Sequence, residues 1–299
     1  VTLKPIRPGD CIGLVAPGSP FDRTKFQIAC DLLERQGYRV STGVNAFKSR
    51  GYVAGAESAR AADLVNAFLD PEIAAVISIR GGYGSGCMLP WLAFSKIRDR
   101  LKPFVGYSDV TFLHLSFQAA LGWATFHGPN LMDLAENPES AIKLLQSLQG
   151  ERDFSFEFTD DRILQEGVAS GRLVGGNLTC LVHLMGTPYF PDLEGCILFI
   201  EDCNEQLYRL DRCINQLKLG RVLDRLAGFI MGRFTGCGDE SELQAMVSHY
   251  VRPFRFPVVA GLPFGHIPEN EILPLGIPFL LNTYEHNLRP LASPFDPVA

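Results

Sequence analysis

The feature that most constrains this chain is an alternation, through its first half, between short apolar runs and segments with helical spacing. Residues 11–16 form an apolar run ended by Pro17-Gly18-Ser19-Pro20, and residues 23–36 then repeat apolar side chains at Phe26, Cys30 and Leu33. The pattern recurs as a helix over 57–68, a strand over 74–79, a loop over 80–86, a strand over 103–106 and a helix over about 109–120. Strands separated by helices are joined by crossovers, which sets them parallel in one sheet with helices on both faces. Ligands of such sheets collect beyond the carboxyl ends of the strands, so a site is expected at loops 81–86 and 107–109.

After Pro129 the texture changes to the polar Asn137-Pro138-Glu139-Ser140, a charged segment at 150–153 and the alternating Phe154-Ser155-Phe156-Glu157-Phe158. Later come β-rich runs at 196–201, 226–231 and 258–262, with helices over about 207–219 and 240–251. With 299 residues, about twice an ordinary domain, the expected organisation is two-part. Residues 1–135 are expected to form an α/β domain with a flavodoxin- or Rossmann-like parallel sheet. A linker over 136–165 then leads to a β-rich α/β domain over 166–299. No internal repeat or low-complexity tract suggests an array.

Charge narrows the partners. A net charge of -6 without a long basic run offers no footprint for nucleic acid or an anionic membrane, which leaves small molecules and peptides. No apolar run approaches the ~18 residues of a membrane span, and the first ten residues lack an apolar signal core, so a cytoplasmic location is expected. Eight cysteines without a CxxC pair read as reduced, mostly buried thiols.

Ser108 lies where the strand over 103–106 meets a helix start. A hydroxyl there projects from the sheet edge beside helix N–H groups that favour negative charge, which suits an attacking alkoxide; it equally suits a simple helix cap. The glycines of Arg80-Gly81-Gly82-Tyr83-Gly84-Ser85-Gly86 bring bare N–H groups over the sheet, as a tight turn, a phosphate cradle or one side of an oxyanion hole. Neither GxxxxGK[ST] nor a clean GxGxxG is present.

A serine nucleophile needs a base and a group to orient that base. Among six histidines, His114 and His183 sit in apolar helical surroundings and read as core, whereas His249 and His286 read as solvated. His127 follows a possible strand and is a candidate to line the cleft. His266 stands in a glycine and proline loop after the run over 258–262, where scaffolds display working side chains. Glu201 ends the buried-looking run over 196–201, either to orient a base or, with Asp202, to begin a loop and cap a helix. No HExxH, zinc or calcium spacing is present, so no metal is expected.

Taken in order, Pro8-Gly9-Asp10, Val15-Ala16-Pro17-Gly18-Ser19, Arg80-Gly81-Gly82-Tyr83-Gly84, Gly106-Tyr107-Ser108-Asp109, Leu173-Val174-Gly175-Gly176-Asn177-Leu178, Ile200-Glu201-Asp202, Tyr208-Arg209-Leu210-Asp211-Arg212 and Gly261-Leu262-Pro263-Phe264-Gly265-His266 span nearly the whole chain. Together they resemble the LD-carboxypeptidase family of serine peptidases, which also includes self-immunity proteins that hydrolyse microcin C.

The resemblance implies Ser108 as nucleophile, His266 as general base and acid, Glu201 as the group fixing the imidazole, and the backbone N–H groups of Gly82 and Asp109 as the oxyanion hole. It implies a homodimer, no cofactor, and a murein-derived tetrapeptide as substrate, cut between an L-centred diamino acid and terminal D-alanine in cell-wall recycling. Arg80 and Arg233 are both candidates to hold the substrate's terminal carboxylate. Two alternatives stand beside this reading. One is a microcin-type amidase acting on aminoacyl or peptidyl adenylates, for which neither Trp91 nor Trp123 lies in the second part's loops. The other is a non-catalytic two-domain protein that closes on a small ligand.

Overall fold

The computed structural model describes residues 2–296. In chain order the first five strands are β1 (Cys11–Val15), β2 (Arg39–Thr42), β3 (Ile73–Ser78), β4 (Phe104–Gly106) and β5 (Thr125–His127). Between and after them lie helices α1 (Arg23–Arg35), α2 (Glu57–Leu69), α3 (Ser85–Met88), α4 (Phe94–Ile97), α5 (Thr111–Leu121), α6 (Leu131–Glu136) and α7 (Pro138–Leu148). Strands β6 (Phe156–Glu157), β7 (Ile163–Gln165) and β8 (Val168–Asn177) follow, then α8 (Leu178–Leu184), β9 (Ile197–Cys203), α9 (Leu207–Leu219), β10 (Gly228–Thr235) and α10 (Glu240–Val251). The chain closes with β11 (Val258–Val259), β12 (Leu273–Leu275), β13 (Pro278–Asn282) and β14 (Asn287–Pro290).

Two sheets result. The first has the order β12-β5-β4-β3-β1-β2, with β1 to β5 all parallel, as the alternation of apolar runs and helices predicts. The second has the order β6-β14-β13-β8-β9-β10-β11-β7, parallel from β8 through β11 and antiparallel outside. Side chains alternate across the strands, so Ile12 and Leu14 of β1 enter one apolar cluster and Cys11 and Val15 the other. Phe199 of β9 joins the first cluster and its neighbours Leu198 and Ile200 the second, so each cluster draws on both sheets.

Two features depart from the two-part plan drawn from the sequence. Residues 136–165, expected as a linker, carry α7 and the strands β6 and β7. Asn137-Pro138-Glu139 reads as loop by composition, yet Pro138 occupies the first turn of α7, where its missing N–H costs nothing. Strand β12, from the last third of the chain, pairs antiparallel with β5 and completes the first sheet. Among the described residues no helix is long and apolar enough to cross a membrane.

Candidate active site

The site forms where carboxyl ends of both sheets face each other. Beyond β1 and β3 the loops are interlocked: Ser19 N–H donates to the Gly81 carbonyl at 3.0 Å, and Tyr83 N–H donates to Ser19 Oγ at 3.0 Å. Buried Arg60 pins the same loops through the carbonyls of Gly84, at 2.8 Å, and Pro17. The end of β8 is tied to the start of α5 by Asn177 N–H, which donates to the buried Thr111 Oγ1 at 2.9 Å.

Ser108 follows β4 with φ of 64°, a left-handed backbone that non-glycine residues rarely adopt and that lifts the side chain away from the strand. Gly81 lies directly against it. A Cβ at residue 81 would sit 3.0 Å from Ser108 Cβ and 3.3 Å from Asp109 N. Among the described residues, no backbone hydrogen bond outside the helices and strands takes up the N–H of Gly82 or Asp109. The Asp109 carboxylate is occupied elsewhere, accepting the Ser85 N–H at 2.7 Å.

Glu201 lies within β9 and is wholly buried. His266 comes from the loop after β11, and Gly265 beside it has φ of 121°; a Cβ there would lie 2.8 Å from Glu201 Oε2. His266 Nδ1–H donates to that Oε2 at 2.7 Å, which leaves Nε2 to accept the Ser108 hydroxyl at 3.0 Å. Three side chains separated by 93 and 65 positions in the sequence thus form one continuous relay. Thr235 Oγ1 donates to the His266 carbonyl at 2.8 Å and fixes the loop from behind.

Burial pulls the His266 ring toward neutrality, but the Cys203 sulfur and the Glu201 carboxylate beside it pull harder the other way and hold its pKa above the usual 6.5. Burial likewise raises Glu201, against the lowering effect of His266. The two titrate as a pair. Tyr107 completes the wall: its ring lies 4.8 Å from the imidazole, and burial together with nearby Asp133 raises its phenol.

Ser108 opens onto two cavities. One, about 480 Å³, is polar and includes Lys25, Arg80, Gly82, Asp133 and His266; the other, about 570 Å³, is largely apolar and includes Tyr83, Phe112, Cys180 and Tyr189. Of the two candidate clamps, Arg80 lines the Ser108 cleft. Arg233 lines a separate cavity of about 330 Å³ and faces Glu240 at 3.6 Å.

His127 does not line the cleft: its ring is fully buried between the rings of Tyr107, at 5.8 Å, and Phe199 of the second sheet, at 5.0 Å. His183 is exposed rather than core, since the buried stripe of α8 runs through Leu178, Leu181 and Leu184 and misses it. Asp202 accepts from Asn177 Nδ2 and from Thr179, a structural use separate from that of Glu201. Residue-level reasoning passed over Tyr107, Asp133 and Cys203; for Tyr107 the signal available was adjacency to Ser108. Among the described residues no group of three or more His, Cys, Asp or Glu is placed to hold a metal ion.

A hydroxyl bonded to an imidazole that is bonded in turn to a buried carboxylate is the arrangement of a serine-hydrolase site. The chain belongs to the LD-carboxypeptidase family, matching its N-terminal domain over residues 12–128 and its C-terminal domain over 170–281. It is 36% identical over 292 residues to a probable murein peptide carboxypeptidase of Bacillus subtilis (strain 168), covering 94% of this chain and 92% of that protein. It is 28% identical to the microcin C7 self-immunity protein MccF of Escherichia coli, covering 95% and 94%. The crystal structure of the muramoyltetrapeptide carboxypeptidase from Oxalobacter formigenes superposes with a TM-score of 0.83 at 29% identity, over 93% of this chain and 97% of that one.

Proposed function

We propose that this chain is a serine carboxypeptidase that hydrolyses the L,D-amide bond releasing terminal D-alanine from murein tetrapeptides. The observation that carries the reading is the continuous relay from Ser108 Oγ through His266 to Glu201, at 3.0 Å and 2.7 Å, opening onto a cleft that contains Arg80. Ser108 Oγ adds to the amide carbonyl while its proton passes to His266 Nε2. The resulting oxyanion is met by the N–H groups of Gly82 and Asp109. Collapse breaks the C–N bond, the proton on Nε2 goes to the departing amine, and D-alanine leaves an ester on Ser108. Water then gives a proton to Nε2 as it attacks that ester, and the same proton returns to Ser108 as the shortened peptide departs. Arg80 pairs with the terminal carboxylate, which accounts for cleavage at the last bond only.

The apolar cavity beside Ser108, with Tyr83, Phe112 and Tyr189 on its walls, supports a second reading as an amidase of aminoacyl or peptidyl adenylates, because a planar base can stack there. One experiment tests both: wild type and Ser108→Ala are incubated with murein tetrapeptide and with an aminoacyl sulfamoyl adenylate, and free D-alanine and released amino acid are measured. We expect D-alanine from the wild type and a fall of roughly 10⁴–10⁶-fold in the variant. Full activity in Ser108→Ala would remove the serine mechanism, and turnover of the adenylate alone would establish the second reading.

A further inference from the structure

The polar cavity beside Ser108 carries Asp22, Lys25, Arg80, Asp133 and Glu136. Three of these are committed to one another. Asp22 caps α1 by accepting the Lys25 N–H at 2.8 Å, and the Lys25 ammonium pairs with Glu136. Arg80 donates to the Pro20 carbonyl at 2.8 Å, and among the described residues it forms no ion pair. Asp133 also forms no ion pair among the described residues. Its Oδ2 accepts the Asn130 N–H at 2.8 Å, while its Oδ1 meets the Tyr107 hydroxyl at 3.4 Å, long for an O–H···O bond. One cation and one anion are therefore left for a ligand, in the same cleft as the serine.

We infer that Asp133 is a specificity-determining residue that pairs with a primary ammonium on the substrate while Arg80 holds its carboxylate. The inference rests on the carboxypeptidase reading and narrows it. In a peptide cut at its last amide, the leaving residue's nitrogen is tied up in the scissile bond and that residue offers only a carboxylate. The ammonium nearest the scissile bond is then the one on the side chain of the residue before the cut, the peptide's amino terminus lying farther back. A carboxylate with one good neutral donor gains a strong charge-assisted bond from such a group, and a substrate without it leaves a half-buried acceptor unpaired. Burial, acting on a carboxyl without a counter-charge, has already raised Asp133 to about 6.

Asp133 also touches Tyr107, whose ring packs on His266, so the test must separate recognition from support of the imidazole. Two tetrapeptides identical except for a free or an acetylated side-chain amine on the third residue are compared by kcat and KM. The wild type is expected to favour the free amine by about 10–100-fold in kcat/KM. Asp133→Asn keeps an oxygen for the Asn130 N–H and is expected to bring the ratio to about one, chiefly through KM for the free amine.

A wild type that cleaves both peptides equally overturns the inference and leaves the carboxypeptidase reading intact; this measurement needs no variant to fold. An unchanged ratio in Asp133→Asn overturns it, as does an equal fall on both peptides, which would make Asp133 a positioning residue acting through Tyr107. A wild type that cleaves neither peptide removes the carboxypeptidase reading and this inference with it.

Discussion

His266 is pulled in two directions, and in the proposed mechanism the balance decides when it can act as a base. Burial alone would make the ring easy to deprotonate, yet Cys203 and the buried Glu201 carboxylate hold the proton on it and raise its pKa above 6.5. Only the neutral ring can accept the Ser108 proton, so kcat/KM is expected to climb with pH through the range in which the ring deprotonates. Glu201→Gln removes the negative charge and lowers the ring's pKa. The rising limb should therefore move to lower pH, while the plateau falls by about 10²–10⁴-fold because the imidazole is no longer held in the productive tautomer. A pH profile of both proteins from 5 to about 11 checks this. A limb that stays in place would show that Glu201 does not set the ring's charge.

At the scale of elements, the site is made by turns whose backbone only certain residues tolerate. Gly265 is the sharpest case: its φ of 121°, and the mere 2.8 Å that would separate an added Cβ from Glu201 Oε2, together demand the smallest residue. Gly265→Ala should cost about 1–3 kcal/mol of stability and push the His266 loop off its carboxylate. The checks are a lowered Tm together with a kcat that drops while KM stays nearly constant.

The same elements explain what could be read in advance. Ser108, Glu201 and His266 each stand at or near the end of an apolar run, and such runs betray strands by composition alone. What escaped the sequence has equally local causes. Two arginines, Arg80 and Arg233, follow or end strands in similar sequence settings, and only the facing of the two sheets separates the one in the cleft from the one beside Glu240. His183 looks like core because its neighbours are apolar, yet it lies off the buried stripe of its helix. Asp133 has the sequence signature of a third helical residue in a capped turn, and nothing in that signature shows that the turn borders a cleft.

For the whole molecule, the decisive fact is that the first sheet is not built from the first half of the chain alone. Leu273 and Leu275 of β12 are fully buried, pair with His127 and Thr125 of β5, and share an apolar cluster with Phe126, Phe154 and Phe295. Leu3 bridges to Phe295 at the other end of the chain, so the N-terminal segment is held by the C-terminal one. A fragment of residues 1–165 would expose the β5 edge and the apolar face that β12 and Phe295 cover, a surface prone to pairing with other chains. The fragment is therefore expected to aggregate or stay partly unfolded, and the complete chain to melt in one calorimetric transition. Because Ser108 reaches His266 only when both sheets are in place, loss of the proposed hydrolytic activity on heating should track that single transition. Two resolved transitions, or a soluble and cooperatively folding fragment, would show that the sheets are independent units and that the relay depends on how they dock rather than on one shared core.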